Sequence, residues 1–327
     1  MKVSKNVLVI VGVVIVIAVA LAAGALLMNT PQEKPIVIHA AYLPAAQSLP
    51  LFVAVEQGMF ADAGLDVQIE RIESPNQIID SLVSGKMDAG APSVAAGITA
   101  IVEAKNPGAL KIYSLTCGTI GVLNDELIVA KDSNIQTISD LKGKKLGHIP
   151  GVQFQTMAKK VLAVNGVNPA DVTLVELAIP TQLTSIASGA VDAVLTLEPN
   201  STLGDFKGVS RLLVANPMVK SVADPWCGAA GVVSAEFLKN HPIEAQKFIK
   251  VMDEAIAETD SNALTREYLV SYLKVPEAVA KSTPMPVMVT SKDVNSTFLD
   301  AYQKFVDVFE EYKVIDKAPD VRKLFVN

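Results

Sequence analysis

His39, His148 and Glu198 are the residues of this sequence whose type and placement first suggest chemistry. The two histidines are expected at the ends of equivalent strands, within the stretches IVIHAAY and KKLGHI, and Glu198 directly follows a third, VDAVLTL. Together they could suggest a metal site, but zinc takes several His or Cys ligands at tight local spacing, and the loop PGVQFQT offers Gln and Thr instead. Histidines hydrogen-bonded at strand ends are therefore expected, with no metal and no cofactor. Glu198 favours a ligand with an amine or a ring N–H, whereas helix termini and hydroxyls favour an oxyanion. Ser93 and the Gln153–Thr156 segment would each present a helix N-terminus, with backbone N–H groups suited to an anionic or carbonyl oxygen; a plain N-cap is the alternative for Ser93. Phe154 and Trp226 could sandwich a flat or apolar part of a ligand, or simply pack in the core. No Walker loop, HExxH, GxSxG, CxxC or GxGxxG occurs, so the common catalytic signatures are missing and no enzyme is expected.

The elements that position these residues show in a repeated phrase. SLVSGKMDAGAP begins at Ser81 and SIASGAVDAVLTLEP at Ser185. Each reads as a helix, a glycine stop, an Asp-Ala strand and a proline-started helix, with flanking elements that match in order. The separation is too long for a solenoid, whose period is roughly 20–50 residues. One βα passage used once in each of two α/β lobes explains it. The chain has 327 residues, half of them hydrophobic, which is enough for a core in each lobe. Net charge is −6, and Arg71, Arg211, Arg266 and Arg322 are the only arginines, so there is no basic stripe and no nucleic-acid partner is expected.

Two further stretches, NDELIVAKDS and CGAAGVVSAEFLKNHP, read as strands that carry the chain into the second lobe and back. The first lobe is then discontinuous, residues 35–124 and 228–327, with residues 125–227 inserted as the second. The two crossing strands would make a hinge, with a cleft where the strand ends of the two lobes face each other. Cys117 and Cys227 lie just before those strands. They either form a disulfide or stay as buried thiols, and thiols are the preferred reading because spacing does not reveal the Cα separation a bridge requires.

Ahead of the lobes, Lys2 and Lys5 precede an apolar run from Val7 to Met28. As a helix it would span roughly 33 Å, about one hydrocarbon core, and a signal peptide's apolar region is usually shorter. An uncleaved single-pass anchor (residues 1–30) with the lobes outside the cell is expected, and a cleaved signal is the alternative.

The phrases YLPAAQSLPLFVAVEQGMFADAGLDV, LVSGKMDAG, DLKGKKLGHIPG and SGAVDAVLTLEP, followed by the return strand with EFLKNHP, resemble in that order the periplasmic solute-binding proteins of ABC importers. The branch is the one with nitrate, taurine, aliphatic-sulfonate and thiamine-pyrimidine-precursor binders. The resemblance implies a two-lobed type II periplasmic-binding-protein fold, monomeric, that captures a small molecule and delivers it to an ABC permease and its ATPase. By position it places the ligand among Gln47, Ser48 and Leu49, then Pro92 and Ser93, then Cys117, Gly118 and Asn124. Gly151, Gln153, Phe154, Gln155, Thr156, Glu198 and Trp226 complete the set. The same architecture serves some enzymes, including dehydratases and a pyrimidine synthase. That reading, and a sensory ectodomain, stand as alternatives.

Overall fold

A computed structural model describes residues 36–326. The first stretch, VIHAAY, forms β1 (Val37–Tyr42), followed by α1 (Leu49–Glu56), β2 (Asp66–Arg71), α2 (Pro75–Val83), β3 (Ala89–Ala95), α3 (Ala96–Lys105) and β4 (Leu110–Gly118). The chain then crosses to β5 (Glu126–Ala130), β6 (Lys145–His148), α4 (Val152–Val164), β7 (Thr173–Glu176), α5 (Ile179–Ala187), β8 (Ala193–Thr196), α6 (Asn200–Phe206) and β9 (Ser210–Ala215). It returns through β10 (Trp226–Ser234), α7 (Pro242–Ser261), β11 (Val287–Thr290) and α8 (Ser296–Glu311). Two mixed sheets result, in the orders β11-β4-β10-β3-β1-β2 and β7-β6-β8-β5-β9. The apolar run 7–28 lies outside the described residues. Among those described, no helix is long and apolar enough to cross a membrane.

The repeated phrase folds the same way twice. Gly85 and Gly189, which end α2 and α5, both sit at φ +71, a left-handed conformation that costs glycine little. The aspartates behind them do identical work. Asp88 accepts a hydrogen bond from the His39 N–H, and Asp192 accepts one from the Lys145 N–H, each at 2.8 Å. Each aspartate therefore ties the start of its own strand to the parallel neighbour, β3 to β1 and β8 to β6.

Three expectations are corrected. The strand after Asp88 does not stop at Pro92-Ser93; β3 runs on to Ala95, which caps α3. The register against β10 slips between Ala230 and Val232, and such an irregularity admits a proline, which has no N–H for the ladder. The two crossing strands do not form a paired hinge either. β5 pairs with β8 and β9 in the second sheet, and β10 pairs with β3 and β4 in the first, so the crossings are made by the loops before them. Finally, Cys117 and Cys227 are joined by a disulfide rather than left as thiols. The cysteines face each other because β4 and β10 are antiparallel neighbours, with Trp226 opposite Gly118.

The C-terminal helix α8 closes the core on one side. Its Tyr302, Phe305 and Phe309 are fully buried. Tyr302 donates to the Ala96 carbonyl at 2.8 Å, and Phe305 meets Trp226 edge to face at 5.3 Å. Lys160 of α4 reaches Glu311 of α8 at 2.7 Å.

Candidate ligand cleft

The two sheets meet through polar groups. Ala46 N–H donates to the Glu198 carbonyl at 2.8 Å, and Gln47 Nε2 donates to Asn124 Oδ1 at 2.6 Å. Gln153, at the start of α4, makes the third contact. Its Oε1 accepts from the Gly97 N–H at 2.7 Å, and its Nε2 donates to the Gly228 carbonyl at 2.8 Å. Between these contacts lies a cavity of about 10 Å³ at the scale of a water molecule, lined by Leu43, Gln47, Ser93, Ala95, Phe154, Leu197, Trp226, Gly228 and Ala229. That is room for about one water, so a larger solute needs the walls to part.

Four residues expected at a ligand line this cavity: Gln47, Ser93, Phe154 and Trp226. Ser93 arrives there from within β3, not as a helix cap. Its Oγ accepts from the Leu43 N–H at 3.2 Å and lies 2.7 Å from Ser48 Oγ, while Ser48 donates to the Leu43 carbonyl at 2.6 Å. A hydroxyl has one hydrogen, so this ring of groups satisfies itself. Asn124 holds Gln47 from the other side, and the Glu198 carbonyl holds the neighbouring Ala46.

The remaining expected residues serve the frame. Leu49 is a core side chain at the start of α1, and Cys117 is consumed in the disulfide. Pro92 offers its carbonyl to Thr116 Oγ1 at 2.7 Å. A Cβ on Gly118 would lie 2.7 Å from the Asn124 side chain, and Gly151, at φ +113, caps α4 and donates to Glu176 at 3.1 Å. Thr156 is buried and Gln155 is half-buried along α4. The histidines do not converge on the cleft. His39 is exposed on β1, whereas His148 is buried with Nδ1 2.8 Å from the Ile149 carbonyl, as expected for a strand-end histidine. Burial lowers the His148 pKa. Among the described residues no three His, Cys, Asp or Glu side chains are grouped to hold a metal.

Three residues of the site were not anticipated. Glu126 heads β5, fully buried, opposite Thr196 at the end of β8. Desolvation, then the charges of Glu198 and Asp125, hold its carboxyl well above the usual carboxylate range. Glu198 is pushed up to about 7 by burial, against a hydrogen bond from the Thr202 N–H at 3.2 Å. Gln182 steadies the turn beside it, accepting from Thr196 Oγ1 at 2.6 Å and from Asn200 Nδ2 at 2.9 Å. Asn216 pins both loop crossings. Its Oδ1 accepts from the Asn124 N–H at 2.9 Å, and its Nδ2 donates to the carbonyls of Thr119 and Val122. Its φ of +47 suits Asn better than most residues. The signals were an Asn-Pro dipeptide and an Asp-Glu pair at the head of an apolar strand, LIVA.

Two α/β sheets joined by two loop crossings around a buried polar cleft define a bilobal periplasmic-binding-protein fold. The chain superposes on the periplasmic aliphatic sulphonate binding protein of Escherichia coli with a TM-score of 0.70 at 19% identity, covering 90% of this chain and 93% of that one. Residues 45–262 match the family described as NMT1/THI5 like, and the chain belongs to that family. A Bacillus subtilis protein named for binding aliphatic sulfonates is 28% identical over 86% of this chain and 84% of its own length. A 4-amino-5-hydroxymethyl-2-methylpyrimidine phosphate synthase of Saccharomyces cerevisiae is 24% identical over 65% of this chain and 63% of its own length.

Proposed function

We infer that this protein is the extracytoplasmic solute receptor of an ABC importer. It closes two lobes, residues 35–124 with 228–327 and residues 125–227, on a small polar molecule and hands that molecule to a permease driven by an ATPase. The observation that carries this reading is the cleft itself: groups of both lobes, the side chains of Gln47, Asn124 and Gln153 and the backbone carbonyl of Glu198 among them, meet around a small buried cavity. The similarity to sulfonate-binding proteins points the same way. Gln47, Ser93, Phe154, Glu198 and Trp226 touch the ligand, and no bond in it is made or broken. The run 7–28 anchors a monomer to the membrane with both lobes outside the cell.

The synthase relative favours a second reading, an enzyme on the same fold. One screen separates the two. Sulfonates, taurine, nitrate, bicarbonate, pyrimidines and amino acids are tested by thermal shift, and the solutes that bind are recovered and analysed. A receptor gains roughly 2.7 kcal/mol at about 100 times the dissociation constant and returns its ligand unchanged. Turnover of the bound solute overturns the receptor reading.

A further inference from the structure

Three acids of the second lobe, Asp125, Glu126 and Glu198, are buried where the chain crosses between the sheets and at the turn after β8. Hydrogen bonds serve them poorly. Both Glu126 oxygens and Asp125 Oδ1 have no partner among the described residues, while Asp125 Oδ2 accepts from the Met218 N–H at 3.0 Å and one Glu198 oxygen from the Thr202 N–H at 3.2 Å. The neutral side chains beside them are already engaged: Thr196, opposite Glu126, donates to Gln182 Oε1, which also accepts from Asn200. The charges that bear on Glu126 are Glu198 and Asp125, both of its own sign, and Lys220 bears on Asp125. A buried carboxylate without cation or donor is costly, and a bound proton removes the cost. Burial accordingly pushes Glu198 and Asp125 up to about 7 and holds Glu126 well above the usual carboxylate range.

The cover over this cluster is shared between the lobes. Glu198 stands in the turn between β8 and α6, and its carbonyl takes the Ala46 N–H of the first lobe. The first lobe's short helix Glu277–Ser282 packs against α6. Beside the turn a groove of about 210 Å³ runs along the lobe boundary, with Pro44, Arg71 and Leu273 on one side and Pro199, Asn200 and Lys207 on the other. Arg71 is held at its rim by Glu73 at 3.0 Å. A solute larger than a water reaches the central cavity only when the lobes part. Parting breaks the Ala46 bond and widens the groove, which lets water reach the Glu198 turn while each lobe stays folded.

We propose that lobe closure is linked to a proton: the closed form holds one within the Glu126–Glu198 pair, and opening releases it to water. Like the receptor reading, this needs lobes that part, but it asks nothing of the solute's chemistry. Glu198 at about 7 when closed, against its ordinary 4.5 when hydrated, gives the closed form more protons between those values. The open-to-closed ratio therefore rises with pH across that window, by up to about tenfold per pH unit, and levels off above it. Acid keeps the cleft shut; neutral pH lets it go.

Ser84 and Ser188 are exposed at equivalent points of the repeated phrase, one on each lobe. The full chain carrying Ser84→Cys and Ser188→Cys, labelled with nitroxides in detergent without solute, reports lobe separation by pulsed electron–electron double resonance. One separation should dominate near pH 5 and a second should grow in through pH 7. With Glu126→Gln and Glu198→Gln added, that dependence should be lost. Infrared difference spectra with both glutamates in place should show a protonated-carboxyl band fading in step with opening, which decides the matter where the variants fail to fold. A separation that does not change between pH 5 and pH 8, one that changes as much with both glutamates replaced, or opening without loss of the band overturns the proposal. None of these results bears on the receptor reading, which the solute screen judges by binding.

Discussion

Gln153 uses both ends of one amide to join α4 to the start of α3 and to β10. Replacing it with Ala leaves the Gly97 N–H and the Gly228 carbonyl buried and unpaired, so Gln153→Ala should cost about 1–3 kcal/mol in urea unfolding. Gln155→Ala, at a half-buried position further along the helix, should cost under about 0.5 kcal/mol. Equal costs would show that Gln153 is ordinary helix surface. The buried acids give a second expectation. Glu198 and Asp125 are both pushed up to about 7, chiefly by burial, from ordinary values of 4.5 and 3.8. Between those limits the folded protein holds protons that the unfolded chain has released, so stability falls as pH rises. Stability from urea unfolding should therefore be highest near pH 4, fall between about pH 4 and pH 7 and level off above that, by several kcal/mol in all. Glu198→Gln should flatten part of that slope. A midpoint that climbs with pH would contradict the burial of these carboxyls.

The disulfide belongs to the scale of elements, because it locks two neighbouring strands rather than a hinge. It closes a separation of 110 residues, for which the chain-entropy model gives a stabilisation of a few kcal/mol. Non-reducing mass spectrometry after alkylation should find no labelled cysteine, and Cys117→Ser with Cys227→Ser should lower stability by about 2–5 kcal/mol. Two labelled cysteines would return the pair to buried thiols. Order and type of elements were legible in the sequence where hydrophobic period and glycine stops agreed, as at α2 to β3 and α5 to β8. The boundary at Pro92-Ser93 was not, because a proline reads as a strand end unless the irregularity opposite it is known. Nor was the true pairing of β5 and β10, since which sheet an apolar stretch joins is decided by packing far away in the chain. Gln47, Ser93, Phe154 and Trp226 could be placed by position. Glu126 was marked only by an acid at the head of an apolar strand, because its significance comes from Glu198, far along the chain.

At the scale of the molecule, every strand of both sheets lies within residues 36–326. A chain starting at residue 31 should therefore be soluble, monomeric and cooperatively folded, as judged by sedimentation and thermal unfolding. Precipitation, or retention with membranes, would mean that the anchor or the start of the first lobe is misplaced. The lobes also share a part. Asp88 and Asp192 fasten the beginnings of their strands, while the cleft is built from residues at and beyond the strands' far ends. Replacing either aspartate with Ala should weaken its own lobe to a similar degree and leave solute affinity alone. Anchorage and use are thus divided along each strand: the back end carries the same aspartate fitting in both lobes, and the front ends bring different residues, Ser93 in one lobe and Leu197 in the other, to opposite sides of the same small space.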